Sequence, residues 1–157
     1  MVALGHLLIE REYKDRAALR QQHLGILNQG RDIWNDWRIS QPEIRPVLYE
    51  AVLGEDIHIS DLSEFDFSWA GLAGAKLPGA NLTSANFYQA HLSRTVFAGA
   101  TLNAAHFCRA DLYETDLSGA FLIDANLQGA QLAKTNLSGA HLIRCAVYGM
   151  SAGTCRG

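Results

Sequence analysis

Ala80-Asn81-Leu82-Thr83-Ser84 and Ala110-Asp111-Leu112-Tyr113-Glu114 are two copies of one five-residue unit that recurs from Leu62 to Val147. Every fifth residue of this stretch is large and apolar, Leu or Phe at 17 of 18 positions and Val147 at the last. Two residues earlier lies a small-residue slot, filled by Ala in 12 of the 18 units, and the residue between is Asp or Asn in eight. A period of five suits neither regular element. On a helix it steps about 140° per unit and smears the Leu around the axis, and on a strand an odd step alternates faces. A fixed short period of this kind marks a solenoid, in which the chain winds and stacks on itself.

A second period, of twenty, gives the shape of the winding. Phe67, Phe87 and Phe107 are twenty apart, as are Thr95, Thr115 and Thr135 in the small slot. Gly79, Gly99, Gly119 and Gly139 form a third column, and Arg94, Glu114 and Lys134 a fourth. Four units therefore make one coil of roughly square section, and coils that pair like β-strands lie about 4.8 Å apart. Leu and Phe are expected inward in stacked layers, with Ala leaving room for them. Asp or Asn is expected outward, bonding backbone groups at the corner. The Thr hydroxyls are expected to satisfy corner groups, and Arg94, Glu114 and Lys134 to form a ladder of alternating charge.

The repeat resembles that of the pentapeptide-repeat family over about residues 55 to 150. That resemblance implies a mainly β fold, a right-handed quadrilateral β-helix of about five turns. The leader is Leu27-Asn28-Gln29-Gly30, then Trp34-Asn35-Asp36-Trp37-Arg38, then Pro42-Glu43-Ile44-Arg45-Pro46. It is similar to the segment before the repeats in many cyanobacterial members. The family has no common activity. Some members protect DNA gyrase by imitating DNA.

The N-terminal third has helical spacing. Apolar residues recur from Leu4 to Asn28, Gly30 is a helix stop, and a second helix is predicted over Asp32 to Ile39. Ile33, Trp34 and Trp37 are expected to share one face of it. Residues 1–45 are read as a helical cap on the first coil, with Trp34 or Trp37 packed there; a partner-binding helical head is the alternative. Residues 46–150 are the β-helix, with an irregular join near Leu53 to Ile57, and 151–157 a tail. The first nine residues are uncharged and mostly apolar but too short to span a membrane. They lack a basic leader and a clear cleavage site, so a cytoplasmic location is expected.

Two of the three Cys lie at the C-terminal end. A Cys145–Cys155 disulfide would clamp the tail over the last coil, adding about 3 kcal/mol in the chain-entropy model. Against it, a cytosolic protein keeps its thiols reduced, and ten residues is half a coil, which places the two on opposite sides. The pairing stays open. Cys108 is expected to point outward beside Phe107.

Chemistry-bearing patterns are weak. Gly149-Met150-Ser151-Ala152-Gly153 matches a nucleophile motif that needs a strand-to-helix elbow with positioned His and acid. It falls in the tail and is read as chance. His91, His106 and His141 occupy outward slots on three different sides, and His106 with Cys108 offers two ligands where zinc needs three or four. Neither metal nor cofactor is expected, and no enzyme activity. The expected contact surface is formed by Trp69, Tyr88 and Tyr148, projecting from the Phe67 side.

Net charge is −3, from 13 basic and 16 acidic residues. The most acidic side carries Asp61, Glu64, Asp124 and Arg144, which sums to −2. Duplex DNA of about 24 Å, five coils at the strand spacing, carries roughly 14 charges. A non-enzymatic scaffold that binds another protein is therefore favoured over a DNA mimic acting on gyrase or another topoisomerase. No nucleic-acid or membrane partner is expected, and monomer or end-to-end homodimer is left open.

Overall fold

A computed structural model describes residues 2–52 and 54–147, with side chains from Asp15 onward. Two helices come first, α1 (Val2–Leu27) and α2 (Arg31–Ser40). Gly30 separates them at φ 105°, a left-handed conformation that costs glycine little. Its N–H bonds Leu27 O at 3.0 Å and its carbonyl accepts Trp34 N–H at 3.0 Å, ending one helix and starting the next. Asp32 in the first turn of α2 and Arg38 in its last complement the helix dipole. On α1 the face that turns to the solenoid carries His23, Leu24 and Leu27, all buried.

Ile33 does not share the buried face of α2: it is 49% exposed, while Trp34 is fully buried and Arg38 is 4% exposed. Arg38 stands four residues from Trp34, so the helix presents Trp34, Trp37 and Arg38 inward. Ile33 precedes Trp34 by about 100° of helical rotation, which turns it away.

From Asp61 onward every fifth residue forms a parallel bridge with the residue twenty further on, from Asp61–Asn81 through Asn126–Ala146. Four such bridge columns run along the solenoid. The first coil departs from this register: Val47 pairs with Gly71 and Val52 with Lys76, an offset of 24. The four extra residues sit between Val52 and Asp61, as the broken spacing there predicts. Asp56 Oδ2 ties that excursion down by accepting Val52 N–H at 3.0 Å.

Within each unit the backbone accounts for its donors. In the unit at Leu82, the Leu82 N–H bonds Thr101 O at 2.7 Å and the Ser84 N–H bonds Asn103 O at 2.8 Å, both on the next coil. The residue before a Leu or Phe reaches back instead, as Asn86 N–H does to Phe65 O at 2.9 Å. The Ala85 N–H closes the corner on Leu82 O at 3.1 Å. The residue two after each Leu or Phe has positive φ at every corner from Glu64 to Arg144, six of them Gly and eleven not. A φ above zero at only the second central residue is the signature of a type II turn. Each non-Gly residue held there costs about 1 kcal/mol, tolerated because hydrogen bonds on both sides fix the peptide.

The core is the stack that the five-residue period predicts. Phe87 lies between Phe67, 5.4 Å away at 12°, and Phe107, 5.0 Å away at 7°. Phe97 meets Phe87 and Phe107 edge-on. Phe65 departs from the small-slot rule and stacks on Phe67 at 5.7 Å. It lies on the first coil, where the neighbour is a helix and the crowding that demands Ala elsewhere is relieved.

Candidate functional site

The outward columns are engaged in holding the solenoid. All eight Asp or Asn of the outward slot accept the N–H two residues on, as Asp61 does from Ser63 at 3.0 Å and Asn136 from Ser138 at 3.1 Å. That N–H is the one backbone donor of such a unit that neither corner nor ladder uses. Where Asn follows Asp along a column, its amide also donates down to the carboxylate, as Asn86 does to Asp66 at 2.9 Å. Thr95, Thr115 and Thr135 donate to Leu72 O, Leu92 O and Leu112 O at 2.7 to 2.9 Å. Cys145 takes the same role toward Leu122 O at 2.7 Å, and burial raises its thiol pKa. Cys155, the other half of the candidate disulfide, lies outside the described residues.

Opposite charges pair from coil to coil. Glu114 bridges Arg94 at 2.9 Å and Lys134 at 3.4 Å, and Asp124 holds Arg144 at 2.6 Å. Hydrogen bonds from Arg94, then Tyr113, then Lys134 push the Glu114 carboxyl down to about 2. On the Leu62 side the acidic residues left without a cation of the same side are Asp61 and Glu64, at one end.

Of the expected contact surface, Trp69 and Tyr88 come together edge-on at 6.0 Å, and both are half-buried. Tyr148 lies outside the described residues. The leader adds what the repeat does not show: the Arg45 guanidinium sits 4.9 Å from the Trp69 ring centroid. Pro42 and Glu43 line a cleft of about 330 Å³ beside them. Cys108 is not outward in the sense expected, being 3% exposed. Its short side chain stands in a column between the longer Tyr88 and Gln128, which overshadow it.

The helices meet the first coil through polar groups as much as through Trp34. Asn35 accepts Asp66 N–H at 2.9 Å and donates to Glu64 O at 2.9 Å. Asn28 repeats that arrangement, accepting His58 N–H at 2.8 Å and donating to Asp56 O at 2.7 Å. Each amide thus engages an N–H and the carbonyl two residues before it, as a neighbouring strand does. The Trp34 indole donates to Asp66 O at 2.8 Å, and its ring lies 5.8 Å from Phe67. Arg38 donates to Ile44 O at 2.7 Å and Ser68 O at 3.0 Å, with Asp66 3.7 Å away. Arg20 donates to Tyr49 O at 2.8 Å and pairs with Asp56 at 2.9 Å. At the other end the core is open among the described residues: Leu142 and Val147, both in the inward slot, are exposed.

His23 gives this junction a pH dependence. Its Nδ1 accepts Val47 N–H at 3.0 Å, which requires the neutral ring. Burial first, then the Arg38 charge, lowers its pKa below the ordinary 6.5. Below pH 6.5 the unfolded chain binds a proton that the folded one refuses, so this contribution is complete above that value and is lost as pH falls. The thermal midpoint is expected to drop between about pH 7.5 and 5.5, and less steeply in His23→Asn, whose Oδ1 can accept the same N–H without titrating. Equal slopes in the two proteins would remove His23 from the account.

Comparison with known proteins agrees with the repeat. A family model described as pentapeptide repeats, in eight copies, matches residues 66–103, 90–129 and 122–149. The pentapeptide repeat protein Rfr23 of the cyanobacterium Cyanothece 51142 is similar at 25% identity and a TM-score of 0.56, over 73% of this chain and 93% of that one. HetL of Nostoc, involved in heterocyst differentiation regulation, is 34% identical with a TM-score of 0.40, over 66% of this chain and 47% of its own. QnrB1, a plasmid-mediated fluoroquinolone resistance protein, is 19% identical with a TM-score of 0.42, over 63% of this chain and 66% of that one. None of the curated proteins compared matches the chain. No described helix is long and apolar enough to cross a membrane. With the repeat matched over more than half of its length, in the register that the bridges follow, the chain belongs to the pentapeptide-repeat family.

Proposed function

We propose that this protein is a non-enzymatic scaffold that binds another protein. The coil-to-coil pairing of its surface charges carries this reading. Arg94, Glu114 and Lys134 neutralise one another along one side, and Asp124 and Arg144 along a second. Such a surface suits a protein partner of mixed charge and lacks the continuous negative strip with which a DNA mimic must meet the Lys and Arg of a DNA-binding groove. The Asp and Asn of the outward slot and the Thr of the small slot are occupied with backbone groups, which argues for structural rather than chemical work.

The architecture that goes with this reading is a right-handed helix of square section with about five turns. Four bridge columns, spanning Val47 to Ala146, support it. Residues 1–45 serve as the cap of its first coil, 46–150 as the β-helix and 151–157 as the tail. The contacts of Asn28, Trp34 and Asn35 support the cap over the partner-binding head.

A gyrase supercoiling assay separates scaffold from mimic. Supercoiling is expected to be unaffected at micromolar protein, with no protection from gyrase poisons. Salt-sensitive inhibition there would overturn the scaffold reading. Crosslinking in host extract through Lys76 and Lys134 is expected to recover a defined protein in a stoichiometric complex.

A further inference from the structure

We infer that the cleft between α2 and the first coil docks a basic peptide segment with an apolar anchor, supplied by the partner protein. This rests on the scaffold reading and names the chemistry of what the scaffold holds. The cleft encloses about 540 Å³ between the start of α2 and the coil, with Gly30, Ile33, Ile59 and Phe65 among its lining residues. Its accessible apolar lining is Ile33 and Ile59. Phe65 is buried there, Ile59 packs on the core beside it, and Ile33 stands 49% exposed at the edge. Folding explains Phe65 and Ile59, which belong to the core; it does not explain Ile33, turned out of the helix interface toward the cleft.

The rim is acidic. Asp32 and Asp61 line it, and Glu64 is tied to it by Arg31, which bridges Asp32 at 3.1 Å and Glu64 at 3.0 Å. Three carboxylates thus face one guanidinium. Asp32 and Glu64 keep 84% and 64% of their side-chain surface exposed, so oxygens remain open to a second cation. Glu114 and Asp124 on the rod are each neutralised by cations one coil away, whereas here carboxylates outnumber the one guanidinium. A Lys or Arg lays its methylene stem along apolar surface while its head reaches a carboxylate. Ile33 and Ile59 offer that surface and Asp32 and Asp61 that carboxylate. An adjacent Leu or Ile of the same segment then covers Ile33 and Ile59. Complementary charge steers the encounter, and the apolar contact holds it.

Fluorescence anisotropy on the full chain tests this with a fluorescein-labelled peptide of alternating Lys and Leu. A Lys and Ser peptide of equal charge and a Glu and Leu peptide serve as comparisons. The Lys and Leu peptide is expected to bind at micromolar concentration, more weakly as salt rises. Ile33→Ser and Asp32→Lys are each expected to weaken it about tenfold, a loss of about 1.4 kcal/mol. Phe121→Ser, at the opposite end, is expected to leave it unchanged. Amide shifts in the unsubstituted protein are expected at Ile33, Ile59 and Ser63. Equal binding of the Lys and Ser peptide, wild-type affinity in both cleft variants, or shifts confined to other surfaces would each overturn the assignment. A host partner crosslinked equally well by Ile33→Ser would overturn the cleft and leave the scaffold standing. Gyrase inhibition would strike the scaffold reading alone.

Discussion

Replacing Phe87 by Ala is expected to destabilise the protein by about 3–5 kcal/mol, the range for removing a buried aromatic ring. The ring is fully buried, sandwiched between Phe67 and Phe107, with Phe97 against its edge. Three aromatic contacts end at once, and the coils above and below cannot close the gap because their bridges fix the spacing. Phe87→Leu is expected to cost under about 1.5 kcal/mol, a hydrophobic swap of similar volume, since Leu fills the same position in most other units. Urea unfolding of both variants checks the pair. A loss below about 1 kcal/mol for Phe87→Ala would mean that the stacked layers are not the main source of stability.

Trp34→Ala is expected to cost as much again, about 3–5 kcal/mol for the side chain, for a different reason. The indole covers Phe67 and its Nε1–H is the partner of Asp66 O. Its loss opens the core and strands a buried carbonyl, which adds about 1–3 kcal/mol if water cannot reach it. Trp34→Phe separates the two contributions by keeping the ring without the N–H. The expected order is Trp34→Ala well below Trp34→Phe, and Trp34→Phe below wild type. Amide exchange should speed up first at Asp66, whose carbonyl accepts the indole N–H, and at Phe67, whose ring lies beside it. If instead Trp34→Ala melts with the wild-type midpoint, the helices contribute nothing to closing this end.

The periodic part of the molecule was legible because repetition multiplies a weak signal. One Asp before one Leu says little. Eight Asp or Asn in the same slot say that the slot faces a backbone N–H, and each one does. The Thr column and the ladder of Arg94, Glu114 and Lys134 were readable for the same reason. The junction was readable only in part. Trp34 stood out by size, but Asn28, Asn35, His23 and Arg38 occur once each, and their work depends on how the helices dock. Nothing in Asn35 as a residue shows that both ends of its amide will meet the backbone of residues about thirty further on. A broken heptad-like spacing also misled: Ile33 beside Trp34 reads as one face, yet the helix buries Arg38 instead. Trp69 and Tyr88 were found through the repeat, whereas Arg45 could not be, since it lies in the leader.

The amide contacts at the junction also set an order in time. Every described hydrogen bond from residues 20–38 to the first coil joins residues 24 to 36 apart, from His23–Val47 to Arg20–Asp56, and the farthest partner residue is Ser68. A ribosome delivers the N-terminus first, so the helices are in hand when the first coil emerges to meet them. Each later coil then needs only the next twenty residues to pair with the one before. Growth of this kind is vectorial: one end is finished at the outset, and at any moment a single apolar face is open, the newest one. The face that carries Leu142 and Val147 is where that growth stops in the described structure.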